Sequence, residues 1–308
     1  MENRILIAGG AGLIGSRLTK HLQNRGYTVF WLSRNPDKPT MVKTFFWDPE
    51  KNLIDDEAIL QADYIINLAG TNVFGKKWTG DYKKSIVESR IRSANVLLGK
   101  TKILEQPVKA YISASGVGYY GLNTGEKLVD ENTQGGTDFL ADVVKQWEKA
   151  ADQFEKIKIR TVKIRTSIAL SEEGGPLEKL MGPINAGIGA PLGSGKQYFP
   201  WIHIDDLCNV YIKAIEDDQM KGVYNAVAPD IVTNKELTKK TAHILHKPTI
   251  MPNVPAFILK LMMGTERAEV LLGGQKVSCK KLQDSGFSFQ YPELDTALKN
   301  ILNNKITA

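Results

Sequence analysis

The 308-residue sequence predicts an α/β fold in which helices cover both faces of a doubly wound parallel sheet. Two observations support this prediction. Short apolar runs alternate with helical stretches through the first half of the chain, a pattern typical of buried parallel strands and the helices that connect them. The residues from Arg4 to Leu22 also read as a strand, a glycine-rich turn and a helix in immediate succession.

The predicted strands are short and apolar, as expected when both faces of a sheet are covered. They occupy residues 4–8, 28–32, 42–47, 64–68, 110–113 and 161–164. The longest predicted helix runs from about Asp81 to Leu104, and another covers Phe139 to Phe154. The rest of the chain reads as mostly helical, with weaker strand candidates near Tyr224 and Phe287.

The glycine-rich turn predicts a dinucleotide site. Gly9, Gly12 and Gly15 have the spacing Gly-x-x-Gly-x-x-Gly between the first strand and the first helix. Such a turn presents the backbone N–H groups around Leu13 and Ile14, and a helix N-terminus, to a diphosphate. A side chain at Gly12 would block that approach, and Gly15 lets the helix pack close to the strand. A plain turn is the alternative interpretation.

The end of the second strand favours NADP over NAD as the dinucleotide. An acidic residue there would bind the adenine ribose hydroxyls, but the chain has Ser33-Arg34 and no carboxylate until Asp37. The arginine offers a planar fork of donors to a 2′-phosphate, and the serine adds a hydroxyl. An exposed loop arginine without a ligand is the alternative.

Composition excludes several classes of function. The formal net charge is +6, with Lys and Arg scattered along the chain, so we expect a small anionic ligand and no nucleic-acid groove. No run of about 18 apolar residues predicts a transmembrane helix, and no signal-peptide core is evident. Cys208 and Cys279 are too few for a disulfide framework or a metal cage. We expect a cytoplasmic monomer or homodimer that binds no metal, membrane or nucleic acid.

Further motifs resemble those of a known family, the extended short-chain dehydrogenase/reductases of the NAD(P)-dependent epimerase/dehydratase superfamily. The shared segments are the glycine turn, Ser33-Arg34, 67–70 and 113–121. More narrowly, the chain resembles the epimerase-like subfamily related to family 39U, which has a small C-terminal domain. That likeness lies in Trp47-Asp48-Pro49, Ser89-Arg90, 200–206, 271–275 and 286–287.

The resemblance implies a Rossmann-like NADP-binding domain and a smaller, mostly helical substrate lobe. Composition changes after Leu170, and a Gly/Pro-rich loop at 186–196 is of a kind that is often functional. We place the NADP-binding domain at 1–170, with a return of the chain near 203–228. The substrate lobe and the small C-terminal domain then occupy 171–308.

The resemblance also places further residues at the cofactor, namely Trp47, Asp48, Leu68, Ala69, Gly70 and Arg90. Small residues at 69 and 70 suit a close backbone approach, with a simple turn as the alternative. Trp47 and Asp48 follow the third strand, where they contact adenine or form a plain turn. Arg90 lies on the long helix and either reaches the cofactor or is a solvated helix arginine.

Hydride chemistry in this superfamily uses a Ser or Thr, a Tyr and a Lys. A phenol tuned towards neutral pH by a nearby cation exchanges the proton. Ser115 fits the serine position, and Ser113, on the same strand face, is the lesser candidate. Lys145 fits the lysine position, but the tyrosine position four residues earlier is Ala141. The Tyr-x-x-x-Lys signature is therefore absent.

Other residues supply candidates for the missing phenol and for substrate contacts. Tyr119 or Tyr120 provides a phenol after Ser115, or packs over the mouth of the site. Arg165 ends the sixth strand, where it binds an anionic substrate or pairs with a carboxylate. His203 lies where a strand enters a helix, so it is an acid/base or a structural residue. Asp205 or Asp206 is then the expected helix cap.

Two functional hypotheses follow. The first is an NADP-dependent oxidoreductase or epimerase that acts by hydride transfer on a small carbonyl or sugar-nucleotide derivative. Its substrate would lie between Ser115, the 119–121 loop and the 186–203 segment. The second is an NADP-binding redox sensor or interaction protein with little or no turnover. Loss of the expected phenol favours the second hypothesis, whereas retention of Ser115 and Lys145 favours the first.

Overall fold

The structure, a computed structural model, describes residues 3–306, with side chains up to Leu302. Its strands are β1 (Arg4–Ala8), β2 (Thr28–Ser33), β3 (Thr44–Asp48), β4 (Leu53–Ile54), β5 (Tyr64–Asn67), β6 (Ala110–Gly116), β7 (Asn123–Val129), β8 (Arg160–Thr166), β9 (Ile168–Leu170), β10 (Trp201–His203), β11 (Gly222–Ala226) and β12 (Gly274–Val277). Its helices are α1 (Leu13–Gln23), α2 (Asp56–Leu60), α3 (Gly80–Ile103), α4 (Phe139–Ala151), α5 (Pro176–Asn185), α6 (Ile204–Glu216), α7 (Asn234–Ile244), α8 (Ala256–Met263), α9 (Thr265–Leu272), α10 (Lys280–Asp284) and α11 (Leu294–Ile306).

The main sheet confirms the predicted doubly wound α/β fold. Within residues 3–306 it has eight strands in the order β11-β8-β6-β5-β1-β2-β3-β4. The pairs β1–β2, β1–β5, β2–β3 and β5–β6 are parallel, and the short β4 is antiparallel to β3. Strand order reverses between β1 and β5, and ligands of open α/β sheets bind at the carboxyl ends of strands at such a switch point.

The described chain divides into two compact units. The first runs to Gly116 and also takes in Asp142–Arg165 and Cys208–Tyr224. Residues 117–141, which the sequence places in the NADP-binding domain, belong to the second unit instead. The reason is a long-range pairing, since β7 forms a parallel ladder with β12, more than a hundred residues along the chain.

The second unit combines two small sheets with helices. Besides the β7–β12 pair, β9 pairs in parallel with β10. Its apolar core is formed from the region of β9 and β10 together with α5, α7 and α11. The fully or nearly fully buried members of this core include Leu170, Met181, Trp201, Leu237, Leu298 and Ile301.

Most of the predicted strands and helices agree with the structure to within a few residues, and the strand candidate near Tyr224 is confirmed as β11. The candidate near Phe287 is wrong. That residue follows α10 in an irregular segment, where its buried ring packs edge-on against Phe289 with centroids 4.9 Å apart. Among the described residues, no helix combines the length and apolar character needed to cross a bilayer.

A buried indole shapes the turn between β1 and α1. Trp31 of β2 donates from its ring N–H to the Thr19 hydroxyl at 2.8 Å, and that hydroxyl donates to the Gly15 carbonyl at 2.8 Å. A Cβ atom at Gly10 would overlap the Trp31 ring. Gly10 is therefore required by packing, although it stands outside the Gly-x-x-Gly-x-x-Gly spacing.

We expect Gly10→Ala to lower the free energy of unfolding by about 1–3 kcal/mol, because the added methyl group overpacks the indole. The measurement is urea denaturation followed by tryptophan fluorescence. Gly99→Ala is the matched control, because Gly99 lies inside α3 with open space around its Cβ position. That change should stabilise the protein by about 0.5–1 kcal/mol. Equal effects of the two substitutions would contradict the packing argument.

Candidate functional site

The first unit holds a tight glycine turn at the carboxyl end of β1. Gly9 has a φ of 85°, and its carbonyl accepts from the Gly12 N–H at 3.1 Å. A Cβ atom at Gly9 would come within 3.0 Å of the Leu68 carbonyl carbon, and one at Gly15 within 2.7 Å of the Gly10 Cα. The turn is thus pressed between the 68–70 segment on one side and the start of α1 on the other.

The N-terminus of α1 is open to an anion. Gly12 is its N-cap, no side chain caps it, and the first turn contains no acidic residue. Gly12 is exposed, and Leu13 and Ile14 are half-buried. A Cβ atom at Gly12 would meet only the Gly9 carbonyl oxygen, at 3.3 Å, so the space beyond this glycine is clear. Free N–H groups and the helix dipole at such an end favour negative charge.

The end of β2 carries an available cation. The Arg34 side chain is exposed, and no residue in the described part of the chain forms a hydrogen bond or ion pair with it. The Ser33 hydroxyl accepts from the Asn35 N–H at 3.1 Å, which fixes the bend that follows the strand. β2 pairs directly with β1, so this cation belongs to the strand next to the glycine turn.

Trp47 and Asp48, at the end of β3, differ in burial and in the contacts of their side chains. The Trp47 side chain is buried in the apolar core of the first unit. The Asp48 carboxylate accepts from the Glu50 N–H at 3.1 Å and lies 3.7 Å from the Lys51 ammonium. These contacts are those of a polar turn between β3 and β4, which was one of the two alternatives for this segment.

The buried side-chain amide of Asn67 fixes the Leu68–Gly70 segment that follows it. The Asn67 side-chain oxygen accepts from the Ala69 N–H at 3.1 Å. Its nitrogen donates to the hydroxyls of Ser93, at 3.0 Å, and Tyr111, at 2.9 Å. Asn67 is fully buried, whereas Leu68 and Ala69 are half-buried and Gly70 is exposed, so the motif at 67–70 combines a structural residue with a partly exposed turn.

Arg90 is buried on α3 and is not a solvated helix arginine. Its guanidinium donates to the carbonyls of Ile86, at 2.8 Å, and Thr71, at 3.1 Å, and lies 4.8 Å from the Trp147 ring centroid. A Cβ atom at Gly70 would come within 3.0 Å of it. Among the described residues no carboxylate pairs with it, and burial lowers the pKa of Arg90 to about 10. A positive charge therefore lies directly beside the 68–70 turn.

Ser115 is part of a buried polar cluster at the carboxyl end of β6. Its hydroxyl donates to Glu148 Oε1 at 2.6 Å. Arg165 of β8 donates to the same carboxylate from Nε and Nη2, both at 2.8 Å. All three side chains are buried. Arg165 thus takes the second of its two predicted roles, pairing with a carboxylate. The lesser candidate, Ser113, donates to the Ala114 carbonyl instead.

Sequence reasoning assigned no role to Glu148. A signal was present, because residues 141, 144, 148 and 151 follow the helical spacing of an apolar face. The other three positions are Ala, Val and Ala, and all three are buried. A carboxylate on such a face requires a charged partner, since glutamates are almost never fully buried without one. Which arginine supplies that partner depends on sheet order, which sequence does not reveal.

The remaining catalytic candidates lie in both units. In the first, Lys145 is half-buried on α4, three residues before Glu148. In the second, the Tyr120 hydroxyl donates to the Asn225 side-chain oxygen at 2.8 Å, and the ring of Tyr119 packs edge-on against that of Tyr120. The Tyr120 phenol is therefore engaged within its own unit.

His203 is a structural residue of the second unit. It precedes the first residue of α6, and its Nδ1 accepts from the Asp205 N–H at 3.1 Å, so the imidazole is itself the helix cap. The prediction of Asp205 or Asp206 as the cap is wrong, because both lie inside the first turn. The imidazole also stacks on Tyr291, with centroids 3.8 Å apart. Its Nε2 lies 3.2 Å from the side-chain oxygen of Asn300.

Asp206 serves a different purpose from capping. It accepts from the backbone N–H groups of Gln290, at 2.7 Å, and Tyr291, at 2.9 Å, and so ties α6 to the segment before α11. Burial raises the pKa of Asp206, against the effect of these two hydrogen bonds.

In the part of the chain that the structure describes, no group of His, Cys, Asp and Glu side chains is arranged to hold a metal ion.

Comparisons with known proteins agree with this geometry. The NAD dependent epimerase/dehydratase family matches residues 5–142, and a domain of unknown function, DUF1731, matches residues 254–301. The human epimerase family protein SDR39U1 is 33% identical over 97% of this chain and 99% of its own length. The chain belongs to the NAD dependent epimerase/dehydratase family. The resemblance inferred from the motifs is confirmed.

Two solved structures of similar proteins align with nearly all of this chain. The crystal structure of human SDR39U1 with NADPH has a TM-score of 0.86 at 33% identity, and the match covers 98% of this chain and 99% of that one. The nucleoside-diphosphate sugar epimerase from Corynebacterium glutamicum has a TM-score of 0.81 at 32% identity. That match covers 99% of this chain and 59% of the other.

In this epimerase-family chain we expect Arg165→Met to cost about 3–5 kcal/mol of stability, because Glu148 would remain buried without its counterion. The measurement is equilibrium denaturation in urea. The double variant Glu148→Leu/Arg165→Met should recover most of the loss, since the pair is then removed as a unit. Arg92→Met is the control, because its pair with Glu88 on α3 is exposed and is worth about 0–1 kcal/mol. A double variant less stable than Arg165→Met would contradict the ion-pair argument.

Proposed function

We propose that this protein binds NADP and catalyses oxidoreduction or epimerisation, by hydride transfer, of a small carbonyl or sugar-nucleotide-like substrate. The observation that carries the proposal is the pair formed by the exposed Arg34, directly after β2, and the uncapped N-terminus of α1, after the neighbouring strand β1. The Arg34 guanidinium suits a 2′-phosphate, and the N–H groups at the α1 N-terminus suit a diphosphate. The human relative crystallised with NADPH and the sugar epimerase from C. glutamicum support the cofactor and the substrate class.

The residues present fit the cofactor. The glycine turn and the half-buried Leu13 and Ile14 would hold the diphosphate, and Ser33 and Arg34 the 2′-phosphate. The 68–70 turn would lie along the cofactor with the buried Arg90 behind it. When bound, the nicotinamide supplies a hydride acceptor or donor. The Trp47 ring is in the core. Trp47 and Asp48 would therefore contact adenine only through backbone atoms and polar side-chain atoms.

The candidate catalytic residues are Ser115, Lys145 and Tyr119. Ser115 lies at the carboxyl end of β6, where ligands bind in open α/β folds. Tyr119 stays the candidate phenol, as predicted from the sequence, and the Tyr120 hydroxyl donates to Asn225. We leave Arg165 and His203 out of the substrate contacts, since the first is paired with Glu148 and the second caps α6.

A second function has one observation in its favour. Ala141 occupies the family's tyrosine position and is fully buried, so α4 offers no phenol there. An NADP-binding sensor with little turnover would need none. Turnover distinguishes the two: purified protein is incubated with NADPH and a panel of carbonyl compounds and keto sugar nucleotides. Consumption of NADPH that Ser115→Ala abolishes supports the enzyme, and tight binding without consumption supports the sensor.

We expect Arg34→Ala to weaken NADPH binding about 10- to 100-fold, because one or two charge-assisted hydrogen bonds to the 2′-phosphate are lost. Binding of NADH, which lacks that phosphate, should change by less than about twofold. The measurement is calorimetric titration of cofactor-free protein. Arg92→Ala, an exposed arginine of α3 paired with Glu88, should leave both affinities unchanged. Equal losses for NADPH and NADH in Arg34→Ala would refute the assignment.

A further inference from the structure

The hydroxyl proton of Ser115 already has a partner inside the protein. Ser115 Oγ lies 2.6 Å from Glu148 Oε1, and the two residues are 5% and 7% exposed. A serine hydroxyl has one proton to donate and two lone pairs that accept. While this bond stands, Ser115 has no proton left to donate to a ligand.

Arg165 fixes the direction of that bond. Its Nε donates to Glu148 Oε1 and its Nη2 to Glu148 Oε2, both at 2.8 Å, so each carboxylate oxygen accepts from the guanidinium. This planar, two-pronged geometry matches a carboxylate that acts only as an acceptor. The proton between Ser115 and Glu148 therefore belongs to the serine.

The position of Ser115 makes this direction matter. The residue lies at the carboxyl end of β6, and β6 follows β5 in the half of the sheet that begins at the switch point. Ligands of this fold approach that end of the strands. What Ser115 offers there is an oxygen with its lone pairs free and its proton turned towards Glu148.

We propose that Glu148, held by Arg165, positions Ser115 as a hydrogen-bond acceptor, so that the site binds the hydroxyl group of an alcohol ligand in preference to a carbonyl oxygen. Glu148 and Arg165 are positioning residues, because they act through Ser115. The inference rests on the proposed function in one respect, that Ser115 faces the ligand. It narrows the substrate class to molecules that present an alcohol, such as a sugar hydroxyl, at this atom.

Neutron diffraction from crystals of the perdeuterated protein tests the first half of the proposal without any activity. The expected result is a deuteron on Ser115 Oγ directed at Glu148 Oε1. A deuteron on Glu148, or one on Ser115 directed away from it, overturns the proposal. This outcome is independent of NADP binding, so it separates a failure of this inference from a failure of the proposed function.

Ligand preference tests the second half. Saturation-transfer NMR compares cyclohexanol with cyclohexanone, with and without NADP⁺, on the full chain. We expect the alcohol to bind about five- to tenfold more tightly, the equivalent of one neutral hydrogen bond. Ser115→Ala should abolish the preference, and Ser115→Thr, which keeps the hydroxyl, should retain it. Equal binding, a preference for the ketone, or the lack of any signal that depends on Ser115 overturns the proposal.

The double variant Glu148→Leu/Arg165→Met provides the decisive contrast. With the carboxylate removed, the Ser115 proton is free to turn towards a ligand, and the preference should reverse towards cyclohexanone. A preference for cyclohexanol that persists in the folded double variant overturns the positioning role of Glu148. Thermal denaturation establishes that this variant is folded. If it is not, the deuteron position and the Ser115 variants decide.

Discussion

The close approach of backbone to backbone after β1 is the constraint on which the dinucleotide half of the protein depends. Gly9 contacts the 68–70 turn, Gly10 lies under the Trp31 ring, and Gly15 presses α1 against the turn. Side chains are excluded at these points, and the N-cap residue Gly12 has no side chain, so the N–H groups of the first turn of α1 are uncapped. The Trp31–Thr19 hydrogen bond adds to this packing, because it ties β2, the strand that Arg34 follows, to α1, the helix that begins at the glycine turn.

Two buried guanidinium groups in the first unit show different solutions to the cost of burying a charge. Arg165 is neutralised by Glu148, and its positive charge is largely cancelled. Arg90 donates to backbone carbonyls and lies over the face of Trp147, and no carboxylate within the described residues pairs with it, so its charge is solvated but not cancelled. The uncompensated charge is the one that lies beside the 68–70 turn.

The order of strands and helices could be predicted because buried parallel strands read as apolar runs and glycine spacing reports local geometry. What could not be predicted depends on distant partners. The pairing of β7 with β12 moves 117–141 into the second unit, Trp31 explains Gly10, and Arg165 explains Glu148. For His203, the sequence indicated a functional role that the contacts in the structure do not require. A histidine at a strand-to-helix junction suggests acid–base chemistry, until its Nδ1 is found capping the helix.

The helix that supplies a tyrosine and a lysine in the wider superfamily supplies a lysine and a carboxylate here. Position 141 is a fully buried alanine, whereas Glu148, one turn beyond Lys145, reaches Ser115. A phenol donates and accepts a proton, but a carboxylate paired with arginine only accepts. This difference is the basis of the proposal that Ser115, whose proton is directed at Glu148, acts as an acceptor that binds a hydroxyl. If Ser115 acts as we propose, the departure from the superfamily pattern is a change in the group that the site recognises rather than the loss of a catalytic part.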